Sequence, residues 1–124
     1  MDSSDALAAF AALGQPTRLD AFRLLVEAGE EGLPAGEVAQ RLGVRHNTLS
    51  SNLAILQQAR LARSRREGRV IRYFADLDGL GALLGFLLQD CCGGRPELCR
   101  PLIEQIAPAC PPSPCSAPPE ETRP

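Results

Sequence analysis

The sequence has no lysine and no tryptophan, one histidine (His46), one tyrosine (Tyr73) and only 4% aromatic residues. A core of stacked rings is therefore excluded, and the chain must close on aliphatic side chains within its 44% hydrophobic content. No apolar run approaches the roughly 18–20 continuous residues of a bilayer span, so no membrane association is expected. The N-terminal MDSSDALAAF is acidic and lacks the basic stretch of a secretory signal, which predicts a cytoplasmic protein. There is no phosphate-cradling glycine loop, no acid–base pair and no histidine near a cysteine, so an enzyme is not expected. At 124 residues the chain has room for one domain with a real core.

What is present is unevenly placed. The net charge of −2 argues on its own against a nucleic-acid partner. Yet between Ala35 and Ala75 stand eight arginines (41, 45, 60, 63, 65, 66, 69 and 72) against Glu37 and Glu67, a balance of +6, while the remainder carries −8. A basic middle in an acidic chain marks a localised phosphate-contact surface. Arginine suits bidentate contacts to phosphate and guanine, although an all-arginine inventory is equally what a GC-rich genome produces. The five cysteines, in a reducing compartment, point to thiol or metal chemistry more than to disulfides.

The periodicity predicts a first helix over Asp5 to Leu13, ended by Gly14. A second follows over Thr17 to Ala28, with Pro16 in its first turn and Leu19, Phe22, Leu25 and Val26 at helical spacing. Gly29 and Gly32 break it. A short third helix, Ala35 to Leu42, turns at Gly43 into a fourth, about His46 to Ala59, with Leu49, Leu53 and Leu56 inward. LARSRR and RVIRYFA then flank Glu67-Gly68, a β-hairpin signal. Asp78 is the expected cap of a fifth helix reaching about Asp90, with a broad stripe of Leu80, Leu83, Leu84, Leu87 and Leu88. Gly81 and Gly85, four apart, would let another helix approach closely. Pro101 to Ala107 is expected to form a last short helix. The chain thus divides into a folded domain, 1–107, and a Pro-rich, disordered tail, 108–124.

A short helix, a glycine turn, a second helix and a basic hairpin make a winged helix-turn-helix, mainly α with a β-hairpin wing. Its second helix is of a size to enter a major groove of DNA. The candidate base and phosphate contacts are Arg45, His46, Asn47, Thr48, Ser50, Ser51 and Asn52, read as N-terminal and solvent-facing. Arg65, Arg66 and Arg69 at the hairpin tip, with Arg63 and Arg72 behind, are placed for flanking phosphates or the minor groove.

At this point a likeness emerges. The stretch LPAGEVAQRLGVRHNTLSSNLAILQQARLARSRREGRVIRYFAD, with LAALGQPTRLDAFRLLVEAG upstream, resembles the ArsR family of metal-responsive repressors over about residues 5–90. The resemblance implies a homodimer that binds operator DNA and releases it on binding an inducer. The apolar first and fifth helices are the expected interface. Arg45 stands where the family usually has a capping serine, and Asn52 where relatives often have histidine. The third helix, LPAGEVAQ, lacks the cysteines of arsenic sensors resembling ELCVCDL there. The fifth lacks the histidines of the family's zinc sensors.

What remains is Cys91, Cys92 and Cys99, in the run DCCGGRPELC, which resembles the C-terminal arsenite site of a minority of ArsR repressors. As(III) and Sb(III) are soft ions that take three thiolates in a pyramid, whereas structural zinc takes four ligands. Gly93-Gly94 lets the chain fold back toward Cys99, and the gap from Cys92 favours a site within one chain. Cys110 and Cys115 are read as accessory. Alternative inducers are Cd(II), Pb(II) or a methylated arsenical bound by two thiols; a thiol redox switch is another possibility. Operator sequence and regulated genes are not encoded in any motif.

Overall fold

Capping chemistry sets most of the helix boundaries. Helix α1 spans Ser3–Leu13, starting two residues before the expected Asp5 because Asp2 caps it. The Asp2 carboxylate accepts from the Asp5 N–H at 2.9 Å, and Asp5 Oδ2 accepts from the Asp2 N–H, a reciprocal capping box. Helix α2 spans Pro16–Ala28, with Pro16 in its first turn and Gln15 Oε1 accepting from the Arg18 N–H at 2.8 Å. A 3-10 turn, Gly29–Glu31, follows. Helix α3, Ala35–Leu42, ends at Gly43, whose left-handed backbone (φ 67°, ψ 33°) turns the chain into helix α4, His46–Gln58.

The structure is a computed structural model that describes residues 1–88 and 96–106. Strands β2, Ala62–Glu67, and β3, Val70–Ala75, form the expected hairpin around Gly68 (φ 65°). A two-residue strand, β1 (Leu33–Pro34), was not expected; it pairs with β3, giving an antiparallel sheet in the order β1-β3-β2. Helix α5 spans Leu77–Leu87 and α6 spans Pro96–Ile106. The architecture is the winged helix-turn-helix expected. The chain divides into two units, Met1–Phe86 and Leu87–Pro124, of which the second contributes α6.

Further expectations change. The cap of α5 is Asp76, not Asp78: Asp76 Oδ1 accepts from the Gly79 N–H at 3.0 Å, and its carbonyl accepts from the Leu80 N–H. Asp78 lies inside the first turn and is exposed. The last helix begins at Pro96 rather than Pro101. Pro96 occupies its first position, where a missing N–H costs nothing, and Pro101 sits within the helix. In α2, Leu19 and Val26 are exposed, and Ala21 completes the buried arc with Phe22 and Leu25. The fifth helix ends at Leu87, with Leu88 in a turn, short of the expected Asp90; the tail from residue 108 lies outside the described residues.

Six side chains, Leu25, Val38, Leu49, Leu53, Leu56 and Leu61, are fully buried and form the centre of the core. Burying each leucine contributes about 1.5–3 kcal/mol. Helix α4 packs against α1, α2, α3 and β2. Helix α5 docks through backbone at the end of α4: the Asp76 N–H donates to the Leu61 carbonyl at 2.9 Å. Gly79 meets the Arg60 carbonyl so closely that a Cβ built there overlaps it. Arg60 itself has φ 64°, the left-handed turn that brings its carbonyl to this position. Leu7 (68% exposed) and Phe10 on α1, with Leu77 (60%), Leu84 and Leu87 on α5, remain uncovered.

Two substitutions test this packing. Leu53→Ala is expected to cost about 2–5 kcal/mol by transfer loss and cavity formation, measured by urea unfolding. Gly79→Ala deletes no atom, yet it is expected to unseat α5 and lower the melting midpoint, whereas Gly81→Ala, with open space around it, leaves the midpoint within a few degrees.

Candidate nucleic-acid interface

Helix α4 has two faces. Leu49, Leu53 and Leu56 are buried, while Arg45, His46, Asn47, Thr48 and Ser51 are exposed and Ser50 is half-buried. Arg45 occupies the cap position with extended backbone, but its own side chain makes no cap hydrogen bond. Asn47 Oδ1 accepts from the Thr48 N–H at 3.0 Å, and the Ser51 hydroxyl donates to the Asn47 carbonyl at 3.2 Å. With the Thr48 N–H taken by Asn47, the His46 and Asn47 N–H groups are left for an outside acceptor, and the helix dipole favours an anionic one.

Asn52 corrects the expectation. It is the one buried polar residue among those described, 9% exposed, and does not share the outer surface. Positions 49, 52, 53 and 56 follow the i, i+3, i+4, i+7 stripe of a buried helix face, so the spacing held the signal that an asparagine among leucines hid. Its Oδ1 accepts from Arg18 Nη1 at 3.1 Å. Arg18, part of the GQPTRL stretch, was not singled out as a functional residue.

The wing sorts its arginines by face. Arg63, Arg65, Glu67, Arg72 and Phe74 share one face of the hairpin, since Arg65 pairs with Arg72 and Arg63 with Phe74. Two arginines directly across from each other repel. Glu67 offsets this by accepting from both: Oε2 from Arg65 Nη2 at 2.6 Å and Oε1 from Arg72 Nε at 3.0 Å. Arg72 Nη1 also donates to the Glu31 carbonyl at 3.0 Å, tying the wing to the turn after α2. The guanidinium carbons of Arg63 and Arg65 stand 5.7 and 5.0 Å from the centroid of the Phe74 ring, within cation–π range. Arg66 and Arg69 are exposed and make no ion pair among the described residues. A cleft of about 340 Å³ is lined by His46 and Ser50 of α4, by Arg69, Val70 and Ile71 of the wing, and by Ala35 and Gly36 of α3. Gln57 Nε2 donates to the Ser64 hydroxyl at 3.0 Å, joining α4 to β2.

Polar helix face, cleft and arginine-bearing wing together form the surface of a helix-turn-helix DNA-binding domain. A family model described as a helix-turn-helix domain matches residues 13–65. An ArsR-like transcriptional regulator from Rhodococcus sp. RHA1 is 30% identical, over 84% of this chain and 93% of that one, with a TM-score of 0.58. The chain belongs to the ArsR-like family of transcriptional regulators. HlyU from Vibrio cholerae is 26% identical over 73% of this chain and 95% of its own, with a TM-score of 0.57. The solution structure of the homodimeric winged helix-turn-helix DNA-binding domain of Mb0332 from Mycobacterium bovis is 25% identical over 74% and 85%, with a TM-score of 0.56. No match was found among curated proteins.

The cysteines of this regulator lie apart from that surface in the chain. Cys91 and Cys92 are outside the described residues, as are Cys110 and Cys115; Cys99 is the fourth residue of α6. Among the described residues no group of three His, Cys, Asp or Glu side chains is placed to hold a metal ion, and no helix is long and apolar enough to cross a membrane.

The Arg65 and Arg72 bonds to Glu67 hold its carboxyl below the ordinary value of 4.5, the Arg65 bond being the larger cause. A lowered folded-state pKa means the contribution is complete above the ordinary value and lost as pH falls through the lowered one. The Arg65 Nε–H resonance is therefore expected to shift on acidification below about pH 4.5, and to lose that titration in Glu67→Gln. An unchanged titration in the variant would break the assignment.

Proposed function

We propose that this regulator is a homodimeric repressor that holds operator DNA through α4 and the wing and lets go when As(III) or Sb(III) binds Cys91, Cys92 and Cys99. The observation that carries the DNA half is the exposed row Arg45, His46, Asn47, Thr48 and Ser51, backed by buried leucines. Arg66 and Arg69, which make no ion pair among the described residues, flank it. In this reading the polar row meets base edges and Ser50 the cleft, while Arg66 and Arg69 take phosphates. Arg65, held by Glu67, contributes less than either, and its pairing keeps the wing straight.

What supports the dimer is the uncovered apolar surface of α1 and α5. Leu7 and Phe10 on α1 and Leu84 on α5 are exposed, and nothing lies within 4 Å of a Cβ built at Gly81 or Gly85, which suits close approach of a second helix. The homodimeric Mb0332 domain provides a precedent for assembly. Leu84→Glu is expected to yield monomer or unfolded chain and to abolish DNA binding, read by analytical ultracentrifugation and gel shift. A parent protein that sediments as a monomer at micromolar concentration would sink the dimer.

The inducer half rests on donor chemistry. Three thiols replace three hydroxides of arsenite, with the thiol protons leaving as water, and the product is a neutral three-coordinate complex. Divalent Cd(II) must instead displace protons outright, so its binding is the more dependent on pH. Binding at the sensor and binding to DNA are coupled, so each weakens the other by the same factor.

Fluorescence anisotropy of labelled DNA from upstream of its own gene, titrated with arsenite, tests the reading. Cys91→Ser, Cys92→Ser and Cys99→Ser are each expected to bind DNA like the parent and to resist release, while Cys110→Ser and Cys115→Ser respond like the parent. Full release from Cys99→Ser would favour a two-thiol inducer such as a methylated arsenical. Full release with Cys91 and Cys92 both replaced would move the sensor elsewhere. Arg66→Gln/Arg69→Gln is expected to weaken binding to all sequences and reduce the salt slope by about two, one for each phosphate that an arginine no longer neutralises.

A further inference from the structure

Arg18 joins three elements with one guanidinium. Nε donates to the Ala12 carbonyl at 2.7 Å, Nη2 to the Ala11 carbonyl at 3.4 Å and Nη1 to Asn52 Oδ1 at 3.1 Å. Ala11 and Ala12 lie in the last turn of α1, where the dipole is negative; the Ala11 carbonyl also accepts from the Gly14 N–H at 3.2 Å, so Arg18 is the main donor to Ala12. That turn carries no basic residue of its own, and Arg18 supplies the charge from α2. Its backbone N–H is held by Gln15 Oε1, which fixes the root of the side chain.

The third bond is the informative one. Leu49, Leu53 and Leu56 bury the inner face of α4 by packing that has no direction. A fourth leucine at position 52 would extend the same stripe without an amide to desolvate. Asparagine adds no apolar burial there, but it accepts a charged hydrogen bond whose strength depends on angle. Asn52 is one residue from Ser51 and one helical turn from Thr48, both exposed. A bond at Asn52 therefore fixes the roll of α4 about its axis, and with it the direction in which the outer row points.

We infer that Arg18 is a positioning residue for sequence reading, locking the roll of α4 to the end of α1 through Asn52. The inference rests on the proposed DNA-reading role of α4. It makes Asn52 an anchor on the inside of the recognition helix, not a reader of bases. It also separates two parts of affinity. The bonds of Arg66 and Arg69 to phosphate do not require a set roll of α4; base recognition by Asn47, Thr48 and Ser51 does.

The test uses the full chain and a duplex sequence selected by the parent protein from a random library. Arg18→Met leaves the Asn52 amide buried without its donor, so weaker binding there could come from unfolding. Arg18→Met/Asn52→Leu removes both partners of that bond, leaving only the α1 carbonyls without the Arg18 donor, and its melting midpoint is expected above that of Arg18→Met. Its affinity for the selected duplex is expected to fall about tenfold or more, with the two sites strongly non-additive. Its affinity for unrelated DNA and its salt slope should match the parent, and selection with the double variant should return a broader set of sequences. Parent-like affinity and parent-like selected sequences in the folded double variant would overturn the lock. So would an equal drop on selected and unrelated DNA, which would mark a general structural role. A parent that selects no sequence at all would overturn the DNA-reading function itself, an outcome distinct from either.

Discussion

The leucine seam of α4 is the constraint on which the other elements depend. Leu49, Leu53 and Leu56 are removed from solvent by α1, α2, α3 and β2 together, so each of those elements is placed by reference to one helix. Close packing makes such a seam stiff. The stiffness matters because the opposite face of the same helix is polar and uncovered. The seam fixes the place of α4 in the domain, so the helix is preformed and spends no binding energy on folding itself.

Electrostatics then decides what the surroundings of α4 can do. The wing sets Arg65 directly across from Arg72, and Glu67 offsets their repulsion: one carboxylate accepts from both. Phe74 takes part of the remaining burden beneath Arg63 and Arg65. The result is a division of labour within one patch of arginines. Those on the Phe74 face pack within the hairpin, and Arg66 and Arg69 at its tip make no ion pair among the described residues. A count of charges in the sequence weights all of them equally.

Both helices proposed to face a second subunit reach α4 by short, stiff routes. The end of α1 arrives through Arg18 and Asn52, and the start of α5 through Gly79 against the Arg60 carbonyl and Asp76 against Leu61. Neither route has slack: one is a charged hydrogen bond and the other a backbone approach that admits no Cβ. A shift in how two copies meet would therefore be passed to the recognition helices instead of being absorbed by soft side chains. That is the physical requirement for coupling an inducer site to a DNA surface.

Helix periods, the Gly43 turn and the Gly68 hairpin were legible from the sequence alone, because each depends on spacing or on backbone freedom within a few residues. So were the basic middle of the chain and the family likeness, since both are carried by residue identity. Other features were not. Asp76 caps α5 in place of Asp78 because the chain leaves β3 there, a boundary set by strand pairing and not by the helix. β1 exists only because Leu33 and Pro34 meet Tyr73 and Arg72, some forty residues away. Asn52 looked like a reader of DNA because polar residues in a recognition helix usually are exposed. Which side of α4 it occupies, and that a guanidinium from α2 is there to meet it, are settled by how the helices pack. Local spacing specified helices α1 to α4, the Gly68 hairpin and the charges they carry, but not β1 or the start of α6. Tertiary structure decided which polar groups face outward, because a side chain's burial depends on neighbours that local spacing does not specify.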